Sequence, residues 1–176
     1  MKQVIFTVLI ALVFSACSTL TVNVDYDPEF DFASQNTFAI VHYNKEGDDT
    51  LFNDRFVNAL EADLLAKNYI KKEKDVADLI FVFHVNVENK IDIDTDYVGL
   101  GYRRYGYGGH VRMTTYEYEK GTLVIDALNP KDNKIVFRSI ATDILKTHKT
   151  PQKRTQYLNN VVKEAMKDFA SKAHVK

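Results

Sequence analysis

The sequence predicts an α+β fold, a two-layer sandwich in which a mainly antiparallel sheet of about five strands carries two helices on one face. Three patterns lead to it. From Leu79 onward the apolar residues Leu79, Phe81, Phe83, Val85, Val87, Ile91 and Ile93 occupy alternate positions, the period of a β-strand. Phe52, Phe56, Leu60 and Leu64 recur four apart, as on one face of a helix, and Leu158, Val161, Val162, Ala165, Met166 and Phe169 form a second helical stripe. Between two apolar runs stands Asn129-Pro130-Lys131-Asp132-Asn133, the composition of a hairpin turn. Strands joined mainly by hairpins, with helices to cover one face, make two layers.

The elements follow in order. Val22-Asn23-Val24-Asp25-Tyr26 alternates like a strand, Asp27-Pro28-Glu29 breaks it, and Thr37-Phe38-Ala39-Ile40-Val41 reads as a buried strand. Thr50 is placed to cap the first helix, and Leu51, Val57 and Leu65 widen its stripe. Asn68 suits a left-handed residue after the last turn, with Lys67, Lys71 and Lys72 near the negative end of the helix dipole. The long strand from Leu79 begins apolar on both faces and then turns polar on one through His84, Asn86, Glu88, Lys90 and Asp92, so it is expected to bury one face throughout. Two further strands run Thr122 to Leu128 and Lys134 to Ile144. Thr150-Pro151 supplies a cap and a first-turn proline for the last helix.

The first residues carry an address. Lys2 precedes the apolar run Val4 to Phe14, and small residues lead to Cys17, the layout of a secretory signal. The run is shorter than the roughly 20 apolar residues that span a bilayer core of about 30 Å. Phe14-Ser15-Ala16-Cys17 resembles the bacterial lipobox, with Phe14 at the place usually held by Leu. This implies that residues 1–16 are removed and that the Cys17 thiol is alkylated with diacylglycerol, after which the freed amine is acylated. Cys17 is the only cysteine of the chain, so no disulfide framework and no thiolate metal site compete for it. Each buried methylene contributes about 0.8 kcal/mol, and two or more acyl chains hold a protein stably where one does not. Ser18, rather than the Asp of inner-membrane retention in enteric bacteria, favours the outer membrane, facing the periplasm. The tether from Ser18 to Thr21 is short, so the single domain over residues 17–176 is expected to sit close to the bilayer.

Charge excludes one class of partner. Lys and Arg total 23 against 24 for Asp and Glu, so no net field draws nucleic acid. A change of composition points to another. Five of the seven glycines and six of the ten tyrosines fall between Asp92 and Tyr118. That predicts a Gly/Tyr-rich loop over residues 94–115, long for a compact domain. Within it Tyr97, Tyr102, Tyr105 and Tyr107 are interleaved with Arg103 and Arg104, residue types that dominate interface hot spots, while aromatic faces also stack on sugars. These six residues are the candidate contact for an envelope protein or, as the rival reading, a glycan or other small ligand.

Catalytic and metal chemistry finds no pattern. Asp92, Asp94 and Asp96 resemble the start of a calcium loop, but Tyr97 stands where the turn needs Gly and Arg103 where the closing Glu belongs. His42, His84, His110, His148 and His174 show no helical zinc spacing. There is no Gly-x-Ser-x-Gly elbow, and the glycines at 99, 101, 106, 108 and 109 form no phosphate cradle. Asp126 and Arg138, on strands expected to be adjacent, suit a structural ion pair. No enzymatic activity, cofactor or metal is expected.

With these elements placed, the chain resembles the bacterial lipoprotein family known as domain of unknown function 4136. The resemblance is carried by Val24 to Asp27, Phe32 to Ala39, Leu64 to Tyr69, Ala77 to Ile80, Tyr118 to Asp126, and Lys134 to Arg138. Asn68 stands where Gly is usual and Phe137 where Trp is usual. The resemblance implies an α+β lipoprotein facing the periplasm and implies no activity.

Overall fold

The computed structural model describes residues 19–42, 49–98, 110–145 and 150–169. Six strands form one mixed sheet: β1 (Thr21–Tyr26), β2 (Thr37–Ile40), β3 (Ile70–Lys71), β4 (Leu79–Val98), β5 (His110–Asn129) and β6 (Lys134–Ile144). Two helices, α1 (Thr50–Ala66) and α2 (Pro151–Ala165), cover one face. The spatial order is β1-β6-β5-β4-β2-β3. The fold is thus α+β with an open sheet, and the expected count of about five strands becomes six. The strand missed is β3, two residues long, too short to show a period.

The sheet is antiparallel from β1 to β4, whereas β2 runs parallel to both β4 and β3. The parallel part follows from connectivity, because α1 carries the chain from β2 over the sheet and back to β3 in the same direction. Asp78, just before β4, locks the junction. One of its carboxylate oxygens accepts from the Asn36 and Thr37 amides at 2.9 Å and from the Thr37 hydroxyl at 2.8 Å. The Thr37 oxygen accepts in turn from the Asp78 amide at 2.9 Å.

Helix ends obey local chemistry. Asp49, not Thr50, caps α1, its carboxylate accepting from the Phe52 amide at 3.0 Å. Asp and Thr are both good caps, and the chain uses the earlier one. Asn68 takes the left-handed conformation at φ 67°, as the sequence predicts. Thr150 caps α2, with Pro151 in its first turn. Leu51 and Leu65, expected to widen the α1 stripe, are exposed. At 100° per residue Leu51 lies about 140° around the helix from Phe56 and so points away from the sheet.

The core lies between the helices and the near halves of the strands. Phe169, fully buried, meets Phe32, Tyr69, Phe81 and Phe137 with ring centroids 4.9 to 5.9 Å apart. Both helices end at this place. Lys67 Nζ donates to Asp63 at 2.7 Å and to the Met166 carbonyl at 2.5 Å, and Ser139 donates to the Ala165 carbonyl at 2.7 Å. A bulge opposite the step from Ala127 to Leu128 lets consecutive Val136 and Phe137 both be buried.

Two expectations about the long strand are corrected. β4 and β5 stay paired to Val98 and His110, so residues 94–98 and 110–115 are strand rather than loop. Thr95, Tyr97, Val111 and Thr115 are strong strand formers, and a turn needs only what lies between. Nor does the odd face of β4 stay covered. Val85, Val87 and Ile91 are 42%, 52% and 65% exposed.

The Asp78 network predicts a pH effect. Burial pushes the carboxyl up, but the hydrogen bonds from Asn36 and Thr37, with the charge of Lys131, outweigh it and hold Asp78 below its ordinary range. A depressed carboxylate contributes stability that is complete above its unfolded value near 3.9 and lost as pH falls through the folded value. Asp78→Asn is expected to cost about 1–3 kcal/mol in urea unfolding at pH 7. The gap to wild type should begin to shrink below about pH 4, where the carboxyl of the unfolded chain takes up its proton, and close only as pH falls through the lower folded value.

Candidate functional site

The helices are tied to the sheet and to each other at their C-terminal ends, and residues of their N-terminal halves border an opening over the sheet. A cavity of about 890 Å³ opens there, within the roughly 300–1,000 Å³ typical of small-molecule sites. Its apolar wall comes from β4 (Phe83, Val85, Val87), β5 (Leu123), α1 (Phe52) and α2 (Leu158). Alternation on β4 and β5 places these odd-numbered residues on the helix side, the same side as the core residues Phe81 and Ile125. His42 stacks on Phe83 at 4.3 Å and extends the wall toward β2. Gly121 matters for shape, because a Cβ there would come within 2.7 Å of the Leu145 side chain that lies over it.

The rim is polar and of mixed sign: Asp49, Glu119 and Asp143 against Arg55 and Arg154. Asp143 is its most connected member. Its carboxylate accepts from the Tyr157 hydroxyl at 2.9 Å, from the Ile144 amide at 2.8 Å and from the Thr19 hydroxyl. Burial, then the hydrogen bond and charge of Asp143, push the Tyr157 phenol well above its ordinary value, so it stays a neutral donor. Thr19 and Leu20 are thereby held at the cavity, and Leu20 forms part of its lining.

Beyond the cavity β4 and β5 leave the sheet. β6 pairs with β5 only as far as Ile144 opposite Lys120, and β2 pairs with β4 only at residues 79–81. Nine further residue pairs, from Lys90 opposite Tyr118 to Val98 opposite His110, form a two-stranded ribbon. At about 3.4 Å per residue it projects roughly 30 Å. Val85, Val87 and Ile91 run from the cavity mouth onto one of its faces.

Tyr97 lies in β4 opposite Val111. Tyr102, Arg103, Arg104, Tyr105, Tyr107 and the lipidation candidate Cys17 lie outside the described residues. Asp92, Asp94 and Asp96 occupy alternate positions of β4, paired with Tyr116, Thr114 and Arg112, in an extended backbone rather than the tight turn of a calcium loop. Among the described residues no group of three or more His, Cys, Asp and Glu is placed to hold a metal ion. No helix among them is long and apolar enough to cross a membrane. Asp126 and Arg138 face each other across β5 and β6 in a bidentate pair, both contacts 2.7 Å, on the sheet face away from the cavity. Their geometry is that of a structural ion pair. The cavity itself was not legible, because its lining comes from seven separate stretches of chain.

The profile of the family described as "Domain of unknown function (DUF4136)" matches residues 22–169. The chain belongs to this family. The DUF4136 match therefore spans β1 through Phe169, the aromatic hub of the core. No curated protein matches the chain. Among solved structures it is similar to a PDZ domain protein from Parabacteroides distasonis, at 13% identity and a TM-score of 0.54 over 87% of this chain. The matched part is 36% of that longer protein, and the likeness is one of fold. It is also similar, at 10% identity and a TM-score of 0.46, to PelC from Paraburkholderia phytofirmans, described as a dodecamer, over 84% of this chain and 94% of that one.

The Asp143 network makes a prediction about the entry of the DUF4136 domain. Asp143→Ala is expected to lower stability by about 1–2 kcal/mol, and to speed hydrogen exchange at the amides of residues 20–22. Tyr157→Phe added to that variant should cost much less than it does in wild type, since the two groups share one hydrogen bond.

Proposed function

We propose that this protein is a lipid-anchored lipoprotein of the bacterial cell envelope, held through acylated Cys17 in the outer membrane with its domain facing the periplasm. In this reading it is a non-enzymatic binding module, and the β4–β5 ribbon is the surface that meets an envelope protein. The signal-like first sixteen residues and the lipobox-like Phe14 to Cys17 support the address.

The ribbon carries the binding proposal. A two-stranded hairpin alone is marginal in water, and long edges with unpaired N–H and C=O groups invite another strand. Here Ile91 on the ribbon continues the face of Val85 and Val87 at the cavity mouth, and all three are β-branched and well exposed. Such a stripe costs solvation in the free protein and suits a partner that covers it. Strand addition along the open edge of β4 would satisfy the backbone groups as well. In sequence, Tyr102, Arg103, Arg104, Tyr105 and Tyr107 fall between β4 and β5, outside the described residues, and in this reading they belong to the same contact.

Ile91→Asp tests this at a site whose substitution should leave unfolding within about 0.5 kcal/mol of wild type. In-cell crosslinking followed by purification of the lipidated protein is expected to recover a defined envelope partner with wild type and much less of it with Ile91→Asp. Equal recovery from wild type, Ile91→Asp and a chain lacking residues 99–109 would contradict the reading. So would retention on isolated peptidoglycan with no protein partner.

A further inference from the structure

The cavity has a feature beyond its size, which is that the chain enters the domain through it. Leu20 is part of the lining, and the Thr19 hydroxyl is held by Asp143 at the rim. Cys17 precedes Thr19 by two residues, so its Cα lies within about 7 Å of the Thr19 Cα whatever the backbone conformation between them. We propose that the cavity seats one acyl chain carried by Cys17 of the same molecule. The proposal rests on the reading that Cys17 is lipidated.

Three properties of the site favour this occupant. The wall is hydrocarbon and aromatic, built by Val41, Phe52, Phe83, Val85, Leu123 and Leu158. The charged residues at the rim are of both signs, so the site does not select an anionic or a cationic head group. It suits a chain whose polar end stays outside, as it would when bonded to Cys17. Attachment also replaces a bimolecular encounter by an intramolecular one, and a tether this short gives a high effective concentration. Free lipid has no such advantage.

The acyl chains have a competing environment in the bilayer, where they are equally dry. Seating one chain therefore changes little while the protein is anchored, because the remaining chains are enough to hold it. Away from the bilayer the difference is large, since a seated chain avoids water altogether. The cavity would then act as a shelter that one chain can enter and leave. Val85 and Val87 prolong its wall onto the ribbon and provide the way out.

The test uses full-length protein in cells fed an alkyne-tagged palmitate that carries a photoreactive diazirine. After irradiation, crosslinks are expected from the acylated N-terminal peptide to peptides of the same chain bearing Phe52, Val85 or Leu158. Leu123→Trp, which fills the cavity, should abolish them while Cys17 acylation by mass stays complete. Val85→Trp, at the half-exposed mouth, is the second variant and decides the matter if Leu123→Trp does not fold. Complete acylation with crosslinks to phospholipid only would overturn the proposal and leave the anchor standing. Absence of acyl groups on Cys17 would overturn both. Equal labelling of the cavity peptides in Cys17→Ala would show that the site takes free lipid, which overturns the assignment to the chain's own.

Discussion

A helix advances 1.5 Å per residue and a strand more than twice that, and the architecture turns on this difference. The 17 residues of α1 reach about 25 Å, whereas the 20 of β4 reach about 65 Å. Helices anchored over one end of such strands cannot cover the other. The anchoring is strong at the Phe169 end, where five aromatic rings, Lys67 and Ser139 tie both helix C-termini to the sheet. At the opposite end the layers part, and the cavity and the ribbon are what remains uncovered.

Much of the fold was legible because it depends on local rules. The hairpin turn at 129–133, the strand Lys134–Ile144, the left-handed Asn68 and the Thr150-Pro151 start of α2 each follow from a few neighbouring residues. The Asp126–Arg138 pair was legible too, since antiparallel register fixes which residues face each other. What failed was inference from pattern to burial. Alternation from Val85 to Ile93 is evidence of a strand with an apolar face. It says nothing about whether a second layer is long enough to cover that face. The parallel placement of β2 beside β4 was likewise hidden, because it rests on the Asp78 contacts with Asn36 and Thr37 some forty residues away.

The candidate sites divide along the same line. Cys17 and the Tyr/Arg cluster are readings of composition and motif. The cavity is a product of packing, with walls drawn from both helices and from β4 and β5, and no motif announces it. The two kinds of evidence converge at Thr19 and Leu20, where the segment leading from Cys17 meets the cavity rim.

The central claim is that the outer halves of β4 and β5 stand free of the helix layer, and native-state hydrogen exchange on the intact protein tests it directly. Amides of residues 81–83 and 123–127 should exchange only through global unfolding, while those of 90–98 and 110–118 exchange far faster through local opening of the ribbon. Uniform protection from Leu79 to Val98, at the level of the core, would contradict the account.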